Sequence, residues 1–126
     1  MKLTIDEIPL SKNKFMNMKT KNWGYMEHKR KRYKEMIQWL IYQKWLEVKG
    51  NECLEKAKVT FNIYFKCNRR RDTQNYLGGG LISWLDALVD LKIIKDDCWE
   101  CIGQPIVNFF KDKDYPRTEI IIERRK

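Results

Sequence analysis

Residues 57–65 read Ala57-Lys58-Val59-Thr60-Phe61-Asn62-Ile63-Tyr64-Phe65. Apolar side chains at Ala57, Val59, Phe61, Ile63 and Phe65 alternate with Lys58, Thr60, Asn62 and Tyr64. A period of two sends neighbouring side chains to opposite faces of a pleated strand. The pattern predicts a strand over 56–66, with one face in a core and the other polar. The segments on either side change period. Upstream, Tyr33, Met36, Ile37, Leu40, Ile41 and Lys44 recur at helical spacing and Trp45 extends the run, which predicts the main helix over 25–47, closed by Gly50 and Asn51. Downstream, Leu77, Leu81, Trp84, Leu85 and Leu88 form an apolar stripe, which predicts a second helix from about Thr73 to Leu91. Leu3, Ile5 and Ile8 suggest a short first strand over 2–8, followed by a basic loop over 9–24. Residues 101–110 and 117–124 read as closing strands, with Pro116 at the start of the last, where a missing N–H is tolerated. The order β-α-β-α-β-β implies an α+β fold: one domain over 1–126, a mixed sheet with two main helices packed on it.

The chain of 126 residues carries a formal net charge of +9. The basic residues are clustered: Lys12, Lys14, Lys19 and Lys21 in the early loop, Lys29, Arg30, Lys31, Arg32 and Lys34 in the first half of the main helix, and Arg69, Arg70 and Arg71 after the strand. Such a field attracts polyanions, and a nucleic acid is the expected partner. The plainer reading is a solvated basic surface. No run approaches the roughly 18–20 apolar residues of a membrane span, and the N-terminal residues lack a signal peptide's apolar run. A cytoplasmic setting without a membrane partner is therefore expected, with the four cysteines as reduced thiols.

The segment 69–97 holds the candidate chemistry. Three arginines run into Asp72, then come Gln74 and Asn75, Gly78-Gly79-Gly80, Asp86, Asp90 and the pair Asp96-Asp97. Magnesium takes carboxylate oxygens with water completing its shell. Phosphodiester cleavage uses such a metal to activate water and stabilise the leaving oxygen, with cations beside it to hold the phosphate. Each acid has a structural alternative: Asp72 as a helix N-cap, Asp96-Asp97 as a solvated turn, Asp86 and Asp90 as helix surface. Gly79, Ser83, Asp86 and Asp90 fall on one helix face if the helix includes the glycines. Three glycines there cost roughly 1 kcal/mol each against alanine, which suggests that another backbone, a partner subunit or a phosphate strand approaches closely. The alternative is that the helix begins only after Gly80.

Cys98 and Cys101 form a Cys-x-x-Cys pair, whereas Cys53 and Cys67 are too far apart to make a second. Four thiolates could hold zinc, but on a strand Cys98 and Cys101 would point to opposite faces. A thioredoxin-like role would require the pair to open a helix after a strand. His28, the single histidine, lies within the basic run, so Ser/His and Cys/His catalysis are poorly supported. Gly78-Gly79-Gly80 lacks the Lys-Ser/Thr of a phosphate-binding Walker loop. The aromatic residues near the basic run, Trp23, Tyr25, Tyr33, Trp39, Tyr42 and Trp45, could stack on unpaired bases or pack in the core. Trp39 and Tyr42 lie off the main stripe and could serve a dimer interface.

These residues carry a resemblance to the RusA family of Holliday-junction resolvases, small enzymes mostly of phage or prophage origin. The similarity covers most of the chain. Pro9, Ser11, Asn13 and Phe15 resemble the family's N-terminal Pro/Asn loop, and Asn22-Trp23 through Lys34 its basic entry into the first helix. Arg70-Arg71-Asp72 with Asn75 resembles the Arg-Asp-x-Asp-Asn motif. Asp86-Ala87-Leu88 and Asp96-Asp97 resemble the Asp-Ala-Leu and Asp-Asp elements, and Pro116-Arg117-Thr118-Glu119-Ile120 the last strand.

The resemblance implies a homodimeric endonuclease that cleaves four-way DNA junctions with magnesium or manganese in recombination or repair, in a bacterium or a phage-infected cell, with no small-molecule cofactor. It implies Asp72, Asp97 and Asp86 as catalytic acids. Asp72, Asp97, Gln74 and Asp96 would lie around the metal. Arg69, Arg70, Arg71, Asn75, Asn13, Lys29, Arg30, Lys31 and Arg32 would bind DNA. Two positions depart from the pattern. Gln74 stands where the motif has its second acid, and residues 73–91 contain no lysine or arginine where the family places a lysine. The alternative expectation is therefore a junction binder that keeps the fold without cleaving.

Overall fold

The computed structural model describes residues 1–11, 23–48, 52–67, 71, 76 and 79–125, without the side chains of 23–27. The elements are β1 (Lys2–Ile5), α1 (Trp23–Leu46), β2 (Ala57–Phe65), α2 (Leu81–Asp90), α3 (Trp99–Ile102), β3 (Ile106–Lys111) and β4 (Arg117–Arg124). They build the expected α+β architecture around a mixed four-stranded sheet in the order β1-β4-β2-β3. β4 runs antiparallel to both β1 and β2, while β2 and β3 are parallel. A parallel pair needs a crossover connection, and α2 and α3 lie in it.

The alternation in β2 sets the layers. Ala57, Val59, Phe61 and Ile63 are fully buried, and the register places Phe61 opposite Ile120 of β4 and Val107 of β3. Leu3 and Ile5 of β1 and Ile122 of β4 join the same face. Helix α1 covers it with Tyr33, Ile37 and Ile41, and α2 with Leu81, Trp84, Ala87 and Leu88, all in one core cluster. Burial of such side chains at roughly 25 cal/mol per Å² is the main stabilising term. The other sheet face carries Asn62, Tyr64, Asn108, Phe110, Arg117 and Glu119. There Arg117 lies 3.8 Å over the Tyr64 ring, and Tyr64 stacks on Phe110 at 4.9 Å.

Four expectations need correction. The first strand stops at Ile5 rather than residue 8, because β4 begins at Arg117 and Ile5 already pairs with Thr118. Met36, placed in the helical stripe by its spacing, is instead exposed; with Trp39, Tyr42 and Leu46 it lines the outward side of α1. The helix expected from about Thr73 is interrupted: Tyr76 is helical, Gly79 and Gly80 form a turn, and α2 runs from Leu81, while 73–75, 77 and 78 lie outside the described residues. An added Cβ on Gly80 would lie 2.7 Å from the Leu10 nitrogen and 2.9 Å from its carbonyl oxygen. The close backbone approach is thus real, but it comes from this chain's own Leu10, whose carbonyl accepts the Gly80 N–H at 2.8 Å. Gly79 is not on the face of Ser83, Asp86 and Asp90. Lastly, the strand expected over 101–110 begins only at Ile106, and 99–102 form a helical turn ended by Gly103 at φ 62°.

Candidate active site

The acids sit where the crossover turns back toward the sheet. Asp86 is half-buried on α2, one turn before Asp90. Helix α2 then ends in a tight reversal. Lys92 takes a positive φ of 60°, its N–H donates to Val89 O, and the Ile93 N–H donates to Leu88 O, each at 3.0 Å. This is the Schellman pattern, with a lysine where glycine is usual. It drives Ile93 and Ile94 into the core. Leu54 then pins the segment: its N–H donates to Ile93 O, and its carbonyl accepts from Lys95 N–H. The chain so anchored presents Asp96 and Asp97 immediately afterwards.

Asp96 and Asp97 are joined directly, and the charge of Asp86 on α2 bears on Asp97. The Asp97 N–H donates to Asp96 Oδ1 at 2.7 Å. Asp97 is an exposed residue, yet its carboxyl is pushed above the usual aspartate range. Partial desolvation is the main cause, followed by a hydrogen bond with Asp96 and the negative charges of Asp86 and Asp96. Oxygen-only donors that repel one another suit a hard divalent cation. Among the described residues no three His, Cys, Asp or Glu side chains are grouped so as to hold a metal ion. Asp72 and Gln74 lie outside the described residues, as do Arg69, Arg70, Asn75 and Asn13.

A cation reaches this group from another element. Lys34 of α1 places its Nζ 2.9 Å from Asp90 Oδ2, and its ammonium is held above the ordinary lysine value, first by that hydrogen bond and further by the charges of Asp90 and Asp86. Sequence reading assigned Lys34 to the basic run but gave it no partner, because a contact between two helices leaves no mark in the spacing of either. Of the run itself, Lys29 and Arg30 are half-buried, Lys31 and Arg32 exposed. Trp99, 75% exposed and two residues beyond Asp97, is a second feature that sequence reading passed over.

The remaining described candidates lie elsewhere. Arg71 is folded back onto the end of β2: its Nη1 donates to Cys67 O at 3.0 Å and its guanidinium lies 3.8 Å over the Phe65 ring. Tyr76 is buried nearby against Phe65 and Phe109. Cys98 and Cys101, which a strand would have separated, meet on the turn of α3, their sulfurs 3.2 Å apart. Among the described residues no helix is long and apolar enough to cross a membrane.

Comparison with known proteins gives one finding of weight. The family model described as endodeoxyribonuclease RusA matches residues 7–123. No curated protein matches at a significant level. The match spans nearly the whole chain, from the Pro9 loop through both acid-bearing segments into β4, and the chain belongs to the RusA endodeoxyribonuclease family.

Proposed function

We propose that this protein is a single-domain, metal-dependent endonuclease over 1–126 that binds and cleaves branched DNA, with the four-way junction as substrate. What carries the reading is the match of residues 7–123 to the RusA endodeoxyribonuclease family model, supported by Asp86, Asp96 and Asp97 on the crossover and by Lys34, which ties the basic half of α1 to α2 through Asp90. Asp97 and Asp72 would hold magnesium or manganese, with Asp86 close by and Gln74 and Asp96 completing the oxygen set. The ion, when bound, supplies an activated water and charge neutralisation at the leaving oxygen. Asp97 keeps its carboxylate available only when the local negative charge is balanced. Lys29, Arg30, Lys31 and Arg32, with Arg69, Arg70, Arg71, Asn75 and Asn13, would hold the phosphates. That binding is salt-dependent and largely indifferent to sequence. A homodimer is the working unit, since symmetric cuts need two sites, and the exposed row Met36, Trp39, Tyr42 and Leu46 on α1 offers a second copy an apolar surface.

The test is cleavage of a labelled synthetic four-way junction in magnesium and in manganese, with Asp72→Asn as control. Paired symmetric nicks that vanish in the variant support the reading. A second reading, a junction binder without nuclease activity, is favoured by Gln74 and by the lack of lysine or arginine in residues 73–91. Tight binding without nicks in either metal would establish it. A flat dependence of log affinity on log salt would count against the phosphate-binding residues in both readings.

A further inference from the structure

The turn of α3 brings together two thiols that the cleavage chemistry does not use. Cys98 is the N-cap residue and its thiol donates to the Cys101 sulfur at 3.2 Å. The Cys98 carbonyl accepts the N–H of Cys101 and of Ile102, both at 3.0 Å, so the two residues are fixed on one helical turn. Cys98 is exposed and Cys101 half-buried. Two thiolates on one tetrahedral zinc, each about 2.3 Å from the metal, would stand roughly 3.7 Å apart. The observed separation is shorter than that. It is about 1.2 Å longer than a disulfide bond, which is near 2.05 Å. The pair is therefore placed for sulfur–sulfur bonding, and Asp97 is its immediate neighbour in the chain.

We propose that Cys98 and Cys101 are a reversible dithiol–disulfide site whose oxidation by a low-molecular-weight disulfide switches the position of Asp97. The Cys98 sulfur attacks one sulfur of the small disulfide. A protein–small-molecule S–S bond forms as the small disulfide's own bond breaks, and one small thiol leaves with the electron pair and takes up a proton. The Cys101 sulfur then attacks Cys98 Sγ, closing the internal bond and releasing the second small thiol. Two protein thiols are oxidised and one disulfide is reduced to two thiols. The closure must draw the two residues together, and Cys98 shares a peptide bond with Asp97. A displacement of about 1 Å at a catalytic group costs on the order of a hundredfold in rate. The switching consequence rests on the nuclease reading; the dithiol chemistry does not.

The experiment equilibrates the whole protein in reduced and oxidised glutathione mixtures, counts free thiols, maps the bond by peptide mass, and then measures junction cleavage. The expected result is a fall from four free thiols to two, a Cys98–Cys101 link, and a ten- to hundredfold loss of cleavage that dithiothreitol restores. Cys98→Ser/Cys101→Ser should be insensitive to the poise, while Cys101→Ser alone should stop at a mixed disulfide on Cys98. Four thiols retained at every poise, or a link through Cys53, Cys67 or a second molecule, overturns the site. The expected link with unchanged cleavage overturns the switch. If neither form cleaves, the nuclease reading fails and the thiol count still decides the site.

Discussion

The indole Nε1 of Trp84 donates a 2.8 Å hydrogen bond to the hydroxyl of Tyr33, joining the centres of α1 and α2 inside the core. The same hydroxyl accepts the Leu10 N–H at 3.3 Å. Trp84 is fully buried, so no water can replace that oxygen. Tyr33→Phe should cost about 1–3 kcal/mol, the penalty of a buried donor left without its acceptor. Urea unfolding followed by tryptophan fluorescence measures it. A variant as stable as the parent would mean that the bond contributes nothing to joining the helices.

Gly80→Ala should destabilise although alanine favours helices. The backbone at Gly80 is ordinary right-handed helix, φ −59° and ψ −25°, so conformation alone would permit any residue. Space forbids it, because the new Cβ meets backbone atoms of Leu10. Overpacking of this kind costs about 1–3 kcal/mol. Thermal melting checks the direction, and a rise in Tm would contradict the close approach.

Asp97→Asn should abolish cleavage and at the same time stabilise the metal-free protein. The folded carboxyl is raised, so between the unfolded value, about 3.9, and the raised folded value the native state holds more protons than the unfolded chain. Stability therefore falls as pH rises through that window, and above it the ionised Asp97 remains a net cost. In chelator at pH 7 the variant should melt above the parent, and the difference should disappear below about pH 4. Added manganese should raise the Tm of the parent only.

Arg117 lies between two carboxylates. Its Nη1 lies 2.8 Å from Asp112 Oδ2 and its Nε 3.3 Å from Glu119 Oε2. The Arg117 hydrogen bond, chiefly, holds the Asp112 carboxyl below the ordinary range. A lowered carboxyl contributes stability above its unfolded value and loses it as pH falls toward the folded one. Arg117→Met should therefore flatten the loss of Tm as pH falls below about 4. An unchanged profile would remove Asp112 as its cause.

The strand 57–65 was legible to within a residue at each end because its pattern is local: each apolar side chain lies two from the next. The turn before α2 was not, because the Gly80 N–H bonds to Leu10, seventy residues earlier in the chain. Helix α3 is a single turn, too short for periodicity, and its N-cap Cys98 and its member Cys101 were read through a strand that is absent there. Of the site, the order of the acids along the chain was legible, whereas the Lys34–Asp90 ion pair came from a helix contact that no motif encodes.

The strand order β1-β4-β2-β3 also governs how the molecule can be made. Residues 2–5 are made long before 117–124, their only sheet neighbour among the described residues, which also fills one side of β2. Until that segment emerges, β1 lacks this partner and the core under β2 is open to water. Contacts this distant in sequence form slowly, and they leave unpaired edges exposed meanwhile. A nascent chain stalled before residue 117 should thus be protease-sensitive and unable to hold in place the crossover that carries Asp86 and Asp97.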